Sequence, residues 1–153
     1  MKQLKQIVTR NRTVASLTEF IAKCETKIRD GHGTDMAEEL LKLNTSKILR
    51  KDRLPLANIC RRLGLIDHGL RILAPIVRAD QRVEVDPATS AEKGEYGVLL
   101  MKNGSCAEAI RLLREIKGSH NDINLHLAFC HIIQWEPSAA VPLLEQYIAG
   151  RPL

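Results

Sequence analysis

His126 and Cys130 stand four residues apart, and His131 follows directly. On a helix that spacing puts His126 and Cys130 one turn apart on one face, where an imidazole and a thiolate could seed a zinc or copper site. Two converging ligands do not close a tetrahedral site, and Cys130 and His131 fall where helix packing needs them, so the expectation is no metal and no cofactor. The Gly31-His32-Gly33 stretch lacks the lysine and the preceding strand of a phosphate loop. No serine, histidine and aspartate are spaced as a nucleophile with its base, and no paired carboxylates stand out for acid–base work. The chain is therefore expected to be non-catalytic, its function carried by a surface.

The elements behind that surface read as helices. The chain has 153 residues, the size of one domain, and is 44% hydrophobic and 27% charged, which is globular. Aromatics make up only 3%, which argues against a β-sandwich or barrel and against binders that stack bases on aromatic rings. No apolar run approaches the roughly 18 residues of a membrane span. The opening MKQLKQIVTRNRTV has no apolar signal core, so no secretion signal is expected. Cys24, Cys60, Cys106 and Cys130 form no CxxC pair, which points to reduced, buried thiols in a cytoplasmic protein.

The charge is uneven. Residues 1–53 hold 12 Lys/Arg against 7 Asp/Glu, while residues 54–153 hold 11 of each. The whole net charge of +5 thus lies in the N-terminal third. Such a segment attracts acidic partners, so binding of nucleic acid or an acidic surface there is one alternative function. Acidic residues interrupt the run at Glu19, Glu25, Glu38 and Glu39, which a solvated helix face also explains.

Apolar periodicity is helical throughout. Helices are expected over about 13–29, 35–43 and 45–52 in the N-terminal third. Thr34 is expected to cap the second, and Asp67 to cap a helix reaching Val77 that Pro75 should kink or whose last turns it should mark. Asp86-Pro87 reads as an N-cap and first helical position, Gly104 as a helix stop, and Pro137 and Pro142 as the irregular first turn of a helix starting near Ser138. The best strand candidate is the short QRVEV at 81–85.

Three segments then align without gaps: 56–76, 96–116 and 127–147. Each opens on a large residue before a small one: Leu56-Ala57, Tyr96-Gly97 and Leu127-Ala128. Seven residues past the small one stand Gly64, Gly104 and Trp135. Twelve past it stand Gly69, Ala109 and Ala140, and sixteen past it Leu73, Leu113 and Leu144. The first small residue lets a second helix approach, the glycine turns the chain, the second small residue meets the first, and the large residues fill the space between. Such helix hairpins cannot bury their apolar faces alone and must stack.

This pattern resembles the tetratricopeptide repeat (TPR) over about residues 50–150. The middle unit matches best, and the third carries Trp135 where a glycine is usual. The small residues lie 40 and then 31 apart, against about 34 in the family. The resemblance implies an all-α fold of antiparallel hairpins stacked as a short right-handed TPR-like solenoid. Residues 1–53 would be a helical cap or a degenerate repeat, with Ala22 or Ala37 as its small contacts.

The resemblance also implies a concave groove lined by the first helix of each hairpin. Its positions here read Leu54, Asn58, Arg61 and Arg62, then Gly94, Val98, Met101 and Lys102, then Leu125, Phe129, Ile132 and Ile133. The lysine, asparagine and arginine clamp with which some members hold a C-terminal carboxylate is not present. Asn58 matches one position, but Leu54, Glu95, Asp122 and His126 occupy others. The helix around 122–134 is apolar on nearly every side, so Phe129 and Ile133 need a cover. The leading expectation is a protein-binding adaptor or chaperone that takes a peptide or amphipathic helix. Val98, Met101, Phe129 and Ile133 would be anchors, and Arg61, Arg62 and Lys102 would select an acidic flank. A homo-oligomer or assembly subunit covering the same apolar end is the other alternative.

Overall fold

The computed structural model describes residues 17–79 and 86–150. Residues 1–16, and with them the start of the expected 13–29 helix, lie outside the described residues, as does the strand candidate at 81–85. Among the described residues every regular element is a helix. In order these are α1 (17–29), a 3-10 turn Gly33–Met36 running into α2 (Ala37–Leu41), a 3-10 turn Thr45–Lys47, α3 (Arg50–Arg62), α4 (Ile66–Val77), α5 (Ser90–Lys102), α6 (Cys106–Glu115), α7 (Asp122–Ile133) and α8 (Pro137–Ala149). The protein is all-α.

One turn recurs four times. Gly64 and Gly104 adopt φ of +76° and +84°. The N–H of Gly64 bonds to Arg61 O and that of Leu65 to Cys60 O. In the next pair Gly104 bonds to Met101 O and Ser105 to Leu100 O. This double bond across a left-handed residue is the Schellman stop. The α7–α8 turn has the same two bonds, from Trp135 to Ile132 O and from Glu136 to His131 O, with Trp135 itself at φ +60°. The turn expected to depart from the pattern keeps its geometry, and the tryptophan takes the conformation glycine adopts freely. The fourth instance is Gly31, at φ +80°, which ends α1 with bonds from Gly31 to Ile28 O and from His32 to Lys27 O.

Measured from Gly31, the positions of the small contacts fall on Cys24 and Met36, and the next large position on Leu40. All three are buried. Ala22 is exposed and Ala37 half-buried, so neither is the contact expected from sequence. A thiol and a thioether stand at those two positions.

Small residues elsewhere sit where the spacing puts them. Ala57, Ala109 and Ala128 are fully buried. A Cβ on Gly97 would lie 2.6 Å from Leu113 Cδ2, and one on Gly69 would lie 3.0 Å from Leu99 Cδ2. Both approaches are closer than a methyl group tolerates. Each helix packs on the next from α3 to α8, and α3 also touches α5, and α5 touches α7. Arg78, just past α4, ties successive pairs together: its guanidinium lies 5.6 Å from the Tyr96 ring centre and 2.6 Å from Glu108 Oε1.

Several helix starts differ from expectation. The α5 cap is Thr89, not Asp86. Its hydroxyl accepts from the Glu92 N–H at 3.2 Å, while Glu92 accepts the Thr89 N–H at 2.8 Å. Two reciprocal bonds satisfy more free donors than one aspartate could. Asp86 and Pro87 instead offer their carbonyls to Arg50 at 2.7 and 2.9 Å. Thr34 lies inside a 3-10 turn and caps nothing with its side chain. The expected 45–52 helix is a 3-10 turn, stapled by Asn44 Oδ1 to the Ser46 N–H, and then α3 from Arg50. Asp67 stands in the first turn of α4, where its charge suits the helix dipole.

A candidate interaction surface on α3, α5 and α7

The face formed by α3, α5 and α7 gathers most of the residues singled out from sequence. Asn58 and Arg61 both reach across to Glu95 on α5. Asn58 Nδ2 donates to Glu95 Oε2 at 3.2 Å, and Arg61 Nε to Oε1 at 2.6 Å. Arg62 is engaged with Glu25 of α1. The two arginines expected to select an acidic partner are therefore already neutralised within the fold. Lys102 is exposed and has no ion-pair or hydrogen-bond partner among the described residues. It stands in the last turn of α5, which packs against α7.

Between these helices lies a cleft of about 200 Å³, lined by Arg61, Glu95, Val98, His120, Asp122 and His126 among others. His126 Nδ1 is buried there with no hydrogen-bond partner. Burial pushes the His126 imidazole below the ordinary histidine range, outweighing the upward pull of Asp122 and Glu95. The ring is thus neutral at pH 7.

Beyond the cleft the surface turns apolar. Val98 is buried and Met101 half-buried against the core, so Val98 supports the surface from beneath instead of anchoring a ligand. Phe129, Ile132 and Ile133 are 43, 46 and 53% exposed, and Trp135 is 91% exposed. Phe129, Ile132 and Ile133 stand at i, i+3 and i+4, adjacent on one helix flank. No described residue covers them to the degree that the apolar character of α7 called for.

The candidate metal ligands separate. Cys130 is buried beside Cys106, and burial together with that neighbour pushes its thiol up to about 12. His131 is buried and lies 2.7 Å from Glu136 Oε2 through its Nδ1. Among the described residues no three His, Cys, Asp or Glu are placed to hold a metal ion.

The described part of the basic third, residues 17–53, holds 8 Lys/Arg against 7 Asp/Glu. Lys23 pairs with Glu39, Lys27 with Asp35 and Arg50 with Glu92, while Arg53 donates to Ile72 O. Four of the five excess charges thus fall on residues 1–16, outside the described residues.

Two residues important to this surface escaped the sequence reading. In the sequence Glu95 reads as a failed clamp position, although it stands 34 residues past Arg61, near one repeat length. Trp135 was noted only as a departure from glycine. Among the described residues no helix is long and apolar enough to cross a membrane. Compared with protein-family models, curated proteins and solved structures, the chain matches none.

Proposed function

We propose that this chain is a non-catalytic protein-interaction module of the cytoplasm, an adaptor or chaperone built as a short right-handed TPR-like stack. The common turn at Gly31, Gly64, Gly104 and Trp135 and the contacts of α3 with α5 and of α5 with α7 support the stacked reading. Its working surface is the end of α7, which takes an apolar segment of a partner such as an amphipathic helix. Phe129, Ile132, Ile133 and Trp135 are the anchors. Lys102, the cation left unpaired on this face, meets an acidic flank.

Trp135 carries the reading. It holds a left-handed backbone that costs a non-glycine residue about 1–2 kcal/mol, and it exposes 91% of its surface. A chain that accepts both costs gains nothing from the ring by itself, and a strained residue that survives is a pointer to function. Burying a tryptophan removes roughly 200 Å² from water, about 5 kcal/mol before association costs. Tryptophan is also a preferred interface anchor.

The test is affinity capture from source-cell lysate with mass spectrometry, comparing wild type, Phe129→Asp and Trp135→Gly. A protein captured by wild type and lost from both folded variants is the expected result. Capture of the same partners by all three overturns the reading.

A further inference from the structure

Two ion pairs tie α6 to what precedes it. Glu108 takes the Arg78 guanidinium, which lies over the Tyr96 ring, and Glu115 takes Lys93 of α5 at 2.9 Å. Both acids of α6 are thus spent on one junction.

The next junction, between α6 and α8 across α7, reads differently at the same positions. Counted from the small residues Gly97 and Ala128, Tyr96 corresponds to Leu127, Glu108 to Ala139 and Glu115 to Gln146. Each acid has an uncharged counterpart. Leu127, Ala139 and Gln146 line a cleft of about 390 Å³, and Arg114 and Lys117 line it with them. Lys117 stands 20 residues past Gly97, one short of the 21 that separate Arg78 from Ala57. A cation is therefore kept at this junction where the acids are not.

Arg111, Arg114 and Lys117 are exposed, and none has an ion-pair or hydrogen-bond partner among the described residues. Arg111 and Arg114 also line an adjoining cleft of about 450 Å³, which shares His131 with the first. Glu136 is the acid there, and it is bonded to His131 Nδ1 at 2.7 Å. Glu145, the one charged residue of α8, lines neither cleft.

We propose that the cleft between α6 and α8 binds an acidic segment of a partner protein, whose carboxylates take the places that Glu108 and Glu115 hold one hairpin earlier. Those two acids are seven residues apart, about 10 Å along a helix, so the fitting ligand is a helix with glutamates two turns apart. Clustered arginines are a recurrent reader of acidic motifs, and their planar forks match carboxylates. Leu127, Pro142 and Leu143 line the same cleft and suit the aliphatic stems of glutamates. The proposal uses the register of the helix pairs but not the anchors on α7.

The probe is a fluorescent, alanine-based helical peptide of about 15 residues with glutamates two turns apart. It is titrated into the full chain at low salt and followed by anisotropy. Saturable binding is expected, at least tenfold weaker for the chain with Arg114→Gln and Lys117→Gln. These cations are exposed and unpaired, so the variant keeps its fold. Removing two exposed cations elsewhere, with Lys42→Gln and Lys51→Gln, should change the affinity less than twofold. Ala139→Glu returns an acid to the cleft and should weaken binding at least tenfold, while Ala139→Gln, of similar size, binds as wild type does. Phe129→Ala also binds as wild type does, which separates this cleft from the α7 surface. Absence of saturable binding overturns the proposal, as does equal binding by the Arg114/Lys117 chain or an equal loss in the Lys42/Lys51 chain. So does inorganic phosphate or an oligothymidylate that displaces the peptide and binds more tightly at the same two cations, since the cleft would then be a phosphate site. Self-association of the wild-type chain that the Arg114/Lys117 variant abolishes would assign the cleft to a second copy and overturn it as well.

Discussion

Replacing Trp135 by glycine removes a large aromatic side chain and yet should change the stability of the fold little. Three terms decide the sign. Relief of the φ +60° backbone contributes about 1–2 kcal/mol. Glycine makes the unfolded chain more flexible and costs about 0.4–1 kcal/mol. The ring is 91% exposed, so roughly 20 Å² of burial is lost, about 0.5 kcal/mol. The sum runs from about 0.5 kcal/mol against the variant to about 1 kcal/mol in its favour, a change in Tm between a fall of about 2 °C and a rise of about 4 °C for a chain of this size. Trp135→Ala loses the same ring contacts but keeps a Cβ in the left-handed region, so it should fall below Trp135→Gly by several tenths of a kcal/mol or more. The reverse exchange, Gly104→Ala at φ +84°, should destabilise by about 1 kcal/mol. The assay is urea and thermal unfolding followed by far-UV circular dichroism, because Trp135 is the single tryptophan and its fluorescence disappears with it. A loss of more than about 1 kcal/mol in Trp135→Gly would refute the reasoning. It would mean that the ring holds the fold together and is not reserved for a partner.

Other expectations follow from the same geometry. Glu95→Ala strips Arg61 and Asn58 of their shared acceptor in a half-buried site and should cost about 1–2 kcal/mol, while Glu95→Gln, which keeps an acceptor, costs less; equilibrium unfolding reads both. Burial depresses the imidazoles of His68 and His126. Their stabilising share is complete above the unfolded histidine pKa near 6.5 and is lost as pH falls through the lower folded values. Unfolding free energy should drop between pH 7 and 5, and His68→Gln should flatten that slope. Glu92 is held below the ordinary glutamate range: burial alone would raise it, but hydrogen bonds from Arg50 and Thr89 prevail. Its stabilising share is therefore full above the ordinary glutamate pKa and lost as pH falls through the lower folded value, so urea unfolding of Glu92→Gln should lack that part of the acid-side decline. All four cysteines are buried, with the Cys60 and Cys130 thiols raised to about 12, so a thiol reagent at pH 8 should label the native chain far more slowly than the urea-unfolded one.

What could be read from the sequence was local. Gly64 and Gly104 announce their turns because only glycine enters the left-handed region freely. Ala57, Gly97, Ala109 and Ala128 announce helix crossings because a larger side chain would collide there. The α1–α2 segment was less legible, since Cys24 and Met36 stand where the later helix pairs carry small residues. The α5 cap was legible in principle: Thr89 and Glu92 spell a capping box, but the neighbouring Asp86-Pro87 offered a more familiar signal. The surface was least legible of all. Whether Arg61 and Arg62 face solvent depends on Glu95 and Glu25, 34 and 37 residues away in the chain, and no helical period reports that.

The pairing of those arginines changes what the surface selects. A groove with free Arg61 and Arg62 would be drawn to acidic ligands, and its binding would fade steeply with salt. In the structure the guanidiniums are held by carboxylates; breaking the Arg61–Glu95 pair to admit a ligand would leave a half-buried charge behind, whereas the exposed Arg62–Glu25 pair is worth little and yields easily. Lys102 remains available, one cation beside an apolar flank. Binding at α7 should therefore depend weakly on ionic strength and strongly on Phe129, Ile133 and Trp135. Charge reversal at Arg61 should act through stability, by setting an acid against Glu95, and its effect on binding should vanish once the folded fraction is taken into account. A tenfold loss of affinity in a fully folded Arg61→Glu chain would place the recognition charge on α3 and overturn this division between neutralised scaffold and apolar anchor.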